Sequence, residues 1–291
     1  MPRILAASQK PLFVEQFNRS CFMFDHSLHQ SDLFELENLA ELSKRLPDSF
    51  YSTTDDSISD GWRSSSTQPR SLHETIATIG ESNSLVLLKG LAGDPEFGPL
   101  FRDILAELED TVGETLRADI AEARATLVLS SPRRVTPYHI DAEVNFLLQL
   151  RGEKIVNIFD ATDRTLLTDL ELEAFFTGDI NAAKYKKERQ RDARVFDFVP
   201  GTGLHLPILA PHWTLNGESV SVAISINCSL HSNARTAKIY KLNGKLRSRG
   251  LAPLSPGIST WQDRVKLAVV DGFELSRSVG RRERTKLVER S

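Results

Sequence analysis

Apolar residues recur at Leu33, Phe34, Leu36, Leu39, Leu42 and Leu46 through the run DLFELENLAELSKRL. Their three- and four-residue spacing puts them on one face of a helix over 32–46, with Ser31 as its N-cap. A second helix is expected around 71–80, a short strand over Leu85 to Lys89, and a longer helix within 97–123, where FRDILAELEDTVGETLRADIAEA keeps a helical period. Residues 52–71 are rich in Ser, Thr and Asp, lack periodicity, and read as a long surface loop. After Arg124 the period shortens. The segments ATLVLSS, VTPYHIDAEVNFLLQL, KIVNIFD, ARVFDFVP, GLHLPIL and SVSVAISINC are short β segments punctuated by Gly and Pro. Such a series argues for a sandwich or barrel rather than a parallel α/β sheet. Beyond it come a Pro/Gly loop at 252–257, a helix at 259–270 and a basic tail, RRERTKLVER.

Two of these segments are two-faced. In the first, Phe146, Leu148 and Leu150 alternate with Asn145 and Gln149. In the last, Val220, Val222, Ile224 and Ile226 alternate with Ser219, Ser221, Ala223, Ser225 and Asn227. The large residues suit a core, and the small polar face suits the wall of a cavity.

Composition narrows the class. The chain has 291 residues, 40 % of them hydrophobic, which is enough for one large core with appendages. The 36 basic and 39 acidic side chains leave a formal charge of −3, so no overall field favours nucleic acid or an anionic membrane. Cys21 and Cys228 form neither a zinc motif nor a disulfide framework, which suits a reducing compartment, and a cytoplasmic protein is expected. The N-terminal MPRILAASQKPLF lacks the apolar run of a signal peptide, and no window has the roughly 18 uncharged apolar residues of a membrane span. KYKKERQRDAR, residues 184–194, reads mainly as a solvated face; its other reading is a charged rim steering an acidic substrate.

The chemistry concentrates in VTPYHIDAEVNFLLQLRGEK, Val135 to Lys154. Residues two apart on a strand share a face, so His139 and Asp141 can meet one metal ion. An H-x-D pair alone is common on surface strands. A third ligand is available in His212, between Pro211 and Trp213. Two histidines and one carboxylate leave open positions on an octahedral ion, as in non-haem Fe(II) oxygenases, whereas a structural zinc would need a fourth protein ligand.

The run T-P-Y-H-I-D-A-E-V-N-F-L-L-Q-L-R-G-E-K, with the later L-H-L-P-x4-H-W and S-I-N, resembles the jumonji-C and cupin-like 2-oxoglutarate oxygenases, especially the branch of the asparaginyl hydroxylase that inhibits hypoxia-inducible factor. That branch has T-P-x-H-x-D-x3-N-F-x2-Q-x2-G-x-K, and each fixed position is matched here. The resemblance covers about residues 125–228 and implies a jelly-roll (double-stranded β-helix) core, mainly β with flanking helices. It implies an N-terminal α/β region over 1–122, a catalytic core over 123–230 and a C-terminal helical extension over 231–291. By the same resemblance His139, Asp141 and His212 would hold Fe(II). Thr136 and Lys154 would bind the distal carboxylate of 2-oxoglutarate, and Asn145 and Asn227 would hydrogen-bond near its chelating end, with O2 as the other cosubstrate. Glu143, Gln149 and Trp213 are candidates for substrate contact.

Two departures fall in the segment before His212, where Thr202 replaces an acid and His205 an aromatic residue; His205 is read as a strand residue rather than a ligand. Tyr138 is read as packing, and His26, His29, His73 and His231 as surface histidines. The expected activity is hydroxylation of a C–H bond, first on a protein or peptide side chain, second on a free amino acid or peptide-derived metabolite, third as N-methyl-lysine demethylation. The rivals are a non-catalytic cupin-like sensor of a small acid and a Zn(II) or Mn(II) cupin. A homodimer through the C-terminal region is a further expectation.

Overall fold

In a computed structural model of the protein, residues 4–52, 57–61 and 70–273 are described, and eleven strands among them form two antiparallel sheets. The larger sheet comprises β1 (Phe22–Asp25), β2 (Phe50–Ser52), β3 (Leu85–Leu88), β4 (Ile120–Ser130), β6 (Val144–Arg151), β9 (Thr202–Leu206) and β11 (Ser221–Leu230), in the order β1-β9-β6-β11-β4-β3-β2. The smaller comprises β5 (Val135–His139), β7 (Lys154–Ile158), β8 (Arg194–Phe198) and β10 (His212–Asn216), in the order β5-β10-β7-β8. Consecutive strands alternate between the sheets from β4 to β7, the winding of a jelly roll.

One face of the larger sheet carries the main core. Phe146, Leu148, Leu150, Val222, Ile224, Ile226, Leu127 and Leu129, all within 1 % of full burial, pack with side chains of the N-terminal helices in one apolar cluster. These are α1 (Lys10–Gln16), α2 (Leu36–Ser43) and α4 (Phe97–Val112). Phe13 on α1 meets the rings of Phe22, Phe24 and Phe146 at 4.9 to 6.1 Å. Between the sheets, Val156, Ile158, Phe198, Leu204 and Leu206 form a second cluster.

Several expected elements are recut. Helix 32–46 becomes a 3-10 turn, Asp32–Phe34, capped by Ser31, followed by α2; Glu35, in extended conformation, separates them. The expected helix at 71–80 is α3 (Leu72–Ala77), started by a capping box between Ser71 and Glu74. The helix expected within 97–123 stops at Gly113 (φ 85°), resumes as α5 (Glu114–Asp119) and gives way to β4 at Ile120. Pairing of β4 with β11 from Ser130 to Ile120 overrides the helical preference of its Ala- and Glu-rich start. The run 135–150 is two strands in different sheets, because the chain crosses between sheets at residues 140–143. Most of the expected 52–71 loop lies outside the described residues, but Ile58 accepts a hydrogen bond from the Tyr138 backbone N–H (2.9 Å). The basic tail also lies outside them.

The chain divides into two compact units, residues 1–167 with 183–231, and 168–182 with 232–291. The second contains α6 (Asp169–Thr177), α7 (His231–Arg247) and helix 260–273. Within it the buried Glu173 carboxylate accepts a forked pair of bonds from Arg247 at 2.7 and 3.0 Å, and Phe176 stacks on Tyr240.

Candidate metal centre

The described part of the first unit encloses a cavity of about 460 Å³ lined by both sheets. The smaller sheet contributes Thr136, His139, Lys154, His212 and Thr214, the larger Asn145, Leu147, Ser225, Asn227, Thr126 and Val128. One ligand atom from each of His139, Asp141 and His212 lies within 4.8 Å of the other two. His139 ends β5 and His212 starts β10, and the two are direct cross-strand partners, so their rings stand 4.1 Å apart between centroids. Asp141 lies beyond the end of β5 in the crossing segment, where its backbone carbonyl accepts from Leu209 N–H (3.0 Å). Its carboxylate is 3.8 Å from His212 Nε2.

The imidazoles are oriented for coordination. His139 Nδ1 is 2.7 Å from the Pro137 carbonyl and His212 Nδ1 is 3.0 Å from the Ala210 carbonyl. A carbonyl only accepts, so each Nδ1 carries a proton, and Nε2 is the ring nitrogen that would coordinate. Burial, and then the neighbouring His139, hold His212 well below the usual histidine range, with Asp141 opposing them. A neutral imidazole is the form that binds a metal. Three donors of this type, closely grouped and 8 % or less exposed at both histidines, fit a borderline divalent ion.

Thr136 and His139 are three residues apart, which on a regular strand would put them on opposite faces. Both line the cavity because the β5–β10 register slips between His212 and Thr214: His212 pairs with His139, but Thr214 pairs with Thr136. Between these pairs, Pro137 and Tyr138 on β5 oppose the single Trp213 on β10, a β-bulge that turns both Thr136 and His139 inward.

Lys154 starts β7 with 5 % of its surface exposed, and its ammonium makes no hydrogen bond or ion pair among the described residues. Burial alone pulls it down to about 8. It reaches the cavity through a tight connection from β6 in which Gly152 has φ 64°, and an added Cβ there would lie 2.2 Å from the Val220 carbonyl oxygen. Across the larger sheet, Asn145 Nδ2 donates to Asn227 Oδ1 and Ser225 Oγ, each at 2.8 Å, leaving Asn145 Oδ1 buried without a partner among the described residues. Toward the other end of the cavity, Glu143 accepts from Arg124 (2.8 Å); burial, then Asp141, raise its carboxyl, and Arg124 opposes.

The remaining sequence candidates lie elsewhere. Gln149 has the inward parity of Asn145 but no exposure; its amide donates to the Arg151 and Gly152 carbonyls and to Ser221 Oγ at 2.8 to 3.0 Å. It secures the turn before Lys154 and does not line the cavity. Trp213, out of phase with His212, faces the outside of the smaller sheet, where its indole N–H donates to Gln190 Oε1 (3.1 Å). Gln190 also accepts from Tyr185 and donates to Asn157, so the basic segment is clasped to that outer face. Arg189 is paired with Asp163 and Asp192, and Lys186 donates to two backbone carbonyls, so these cations serve the clasp.

His205 is fully buried among Phe17, Phe22 and Phe146, with Nε2 accepting from Asn18 N–H, a packing role as expected. Thr202 closes the β8–β9 turn on Val199, accepting from its N–H and donating to its carbonyl. His26 is a correction: it is 5 % exposed, its Nδ1 accepts from Leu28 N–H, and burial first pushes it down to about 4. Thr214 and Arg124 were not singled out in the sequence, whereas Ser225 belongs to the small polar face expected to wall a cavity. Alternation from His212 is the signal that finds Thr214, since residues two apart share a face.

No protein-family model matches the chain, and no curated protein does. Solved structures do match. Escherichia coli ribosomal oxygenase YcfD in complex with cobalt and 2-oxoglutarate matches with a TM-score of 0.52 at 17 % identity, over 91 % of this chain and 66 % of that one. The same protein with cobalt and succinic acid gives 0.51 at 16 % identity over 91 % and 66 %. The fold is a shared jelly roll. At this identity the likeness extends to architecture alone, and the chain spans about two thirds of the length of those neighbours.

Proposed function

We propose that the protein is an Fe(II)- and 2-oxoglutarate-dependent dioxygenase that hydroxylates a C–H bond of a protein or peptide side chain. The observation that carries this reading is the pairing, in one cavity, of a His-Asp-His donor set with a buried lysine that has no anionic partner among the described residues. An isolated buried charge is costly, and a dianionic ligand supplies the missing counter-charge. His139, Asp141 and His212 would hold the metal. Lys154 and Thr136 would receive the distal carboxylate, and the Asn145–Asn227 pair would present polar atoms beside the chelating end. Bound there, Fe(II), 2-oxoglutarate and O2 supply the oxidation that converts C–H to C–OH, with succinate and CO2 as coproducts.

The chain itself contributes position and exclusion of water. The carbonyls of Pro137 and Ala210 fix the two imidazoles, the β5 bulge brings Thr136 to the metal's side of the strand, and Val156 and Leu206 close the wall behind with apolar surface. Glu143 and Arg124, on the wall away from Lys154, would meet the substrate. A protein substrate is favoured by the fold neighbours, which are named ribosomal oxygenases. The motif spacing favours the asparaginyl-hydroxylase branch within the wider superfamily. Folded protein loaded with Mn(II) should bind 2-oxoglutarate, and with Fe(II) should form succinate in proportion to a hydroxylated peptide. Absence of any 2-oxoglutarate binding by the metal-loaded protein overturns the proposal.

A further inference from the structure

Thr214 is 6 % exposed, lines the cavity, and its hydroxyl has no hydrogen-bond partner among the described residues. A buried hydroxyl left unpaired costs the fold its lost hydration, so a valine there would serve the fold better than a threonine. Its neighbours suggest what the hydroxyl serves. On β10 it pairs with Thr136 on one side and Val156 on the other, and Lys154 sits two residues from Val156 at the diagonal position. Diagonal neighbours on a sheet are about 7 Å apart, within reach of a long side chain. Along its own strand Thr214 follows the metal-ligand candidate His212 by two residues on the same inward face, about 6 to 7 Å away. That step is comparable to the length of a five-carbon dicarboxylate chelating at one end.

Resting on the reading of this cavity as a 2-oxoglutarate site, we infer that Thr214 is a third ligand of the distal carboxylate, donating its hydroxyl proton beside Lys154 and Thr136. A carboxylate has about four lone-pair sites, so an ammonium and two hydroxyls do not exhaust it. The cradle selects the second carboxylate of the cosubstrate as well as its charge: a 2-oxoacid without that group leaves three donors unpaired. The hydroxyl is therefore a burden to the empty protein and a contact in the loaded one.

The test is the affinity of Mn(II)-loaded, oxygen-free protein for two probes, 2-oxoglutarate and the monocarboxylate 2-oxobutanoate, measured calorimetrically for wild type, Thr214→Val and Thr214→Ser. A lost bond to a charged acceptor predicts roughly ten- to hundredfold weaker 2-oxoglutarate binding in Thr214→Val, with Thr214→Ser within about threefold of wild type. For 2-oxobutanoate the three proteins should agree within about threefold. Thr214→Val should also unfold, ligand-free, at a temperature no lower than wild type. The inference is overturned if Thr214→Val binds 2-oxoglutarate as wild type does, if Thr214→Ser loses as much as Thr214→Val, or if the valine variant weakens both probes alike. A wild type that binds neither probe removes the functional reading along with it, so the two failures are told apart.

Discussion

Replacing Lys154 by Met separates stability from binding, because the two should move in opposite directions. Met keeps the length and apolar stem of Lys but carries no charge. In the ligand-free protein the ammonium is buried with no anion beside it among the described residues, and burial lowers its pKa from 10.5 to about 8. Each tenfold change in the protonation equilibrium is about 1.36 kcal/mol, so holding this lysine charged at neutral pH costs the fold about 3 kcal/mol. Lys154→Met removes that cost, and its ligand-free unfolding midpoint should rise by on the order of 5 °C. On the proposed reading the same substitution would remove the counter-charge of a bound dianion, and 2-oxoglutarate affinity should fall by roughly thirtyfold or more.

The pH dependence carries the sign. Between pH 8 and about 10.5 the unfolded chain holds the lysine proton and the ligand-free fold does not, so wild-type stability should rise with pH across that window relative to the Met variant. The gap between the variants should close once both states are neutral. A bound dianion favours the charged lysine, so wild-type affinity should decline above pH 8, about tenfold per unit at most, while the Met variant shows no such slope. Thermal unfolding with and without 2-oxoglutarate, and calorimetric titration on the Mn(II)-loaded protein, read both effects. A ligand-free Met variant less stable than wild type, together with unchanged affinity, would refute the reasoning.

Asp141→Ala should abolish tight Mn(II) binding, seen by electron paramagnetic resonance, and change the ligand-free midpoint little, because the carboxylate lies on a connecting segment and is not part of the apolar core. Gly152→Ala should destabilise by at least about 1–3 kcal/mol, since alanine must hold φ 64° and meet the Val220 carbonyl; denaturant unfolding measures it, and weaker 2-oxoglutarate binding with intact metal affinity should accompany it. Gln190→Ala removes the partner of Trp213, Tyr185 and Asn157, so trypsin should cut within 184–194 about tenfold faster, and an unchanged cleavage rate would mean the clasp contributes nothing.

The two-sided strands were legible because alternation of large and small residues states directly which face is core: Phe146, Leu148 and Leu150 went to the core and Asn145 to the cavity. Parity alone misassigns Thr136, since a bulge cannot be read from residues that fit a regular strand equally well. Gln149 shows the converse, for parity gives the face of a residue but not its depth along the strand. Trp213 drew notice by its size and its place beside His212, yet the same alternation sends it outward and Thr214 inward. The N-terminal aromatic cluster around Phe13 was not anticipated, because a seven-residue helix carries too few turns to show a period. Helix α7 falls within the expected C-terminal helical extension but was not delimited as an element, for a different reason: among its seventeen residues only Ile239, Tyr240 and Asn243 are buried, too few to mark a face.

The spacing N-F-x2-Q-x2-G-x-K can now be understood as the geometry of one connection. Asn145 faces the cavity, and Phe146, the next residue, must therefore face the core. Four residues after Asn145 the same face returns at Gln149, beyond the cavity, where the side chain ties down the Arg151 and Gly152 carbonyls as the strand ends. Only a residue without Cβ fits at 152, and the turn it permits delivers Lys154 as the first residue of a strand in the opposite sheet, facing back into the same cavity. The polar residues of the segment therefore divide between chemistry and the turn that aims it. Loss of Gln149 or Gly152 should displace Lys154 while leaving His139, Asp141 and His212 in place, which makes cosubstrate affinity, rather than metal affinity, the property most exposed to change in this stretch.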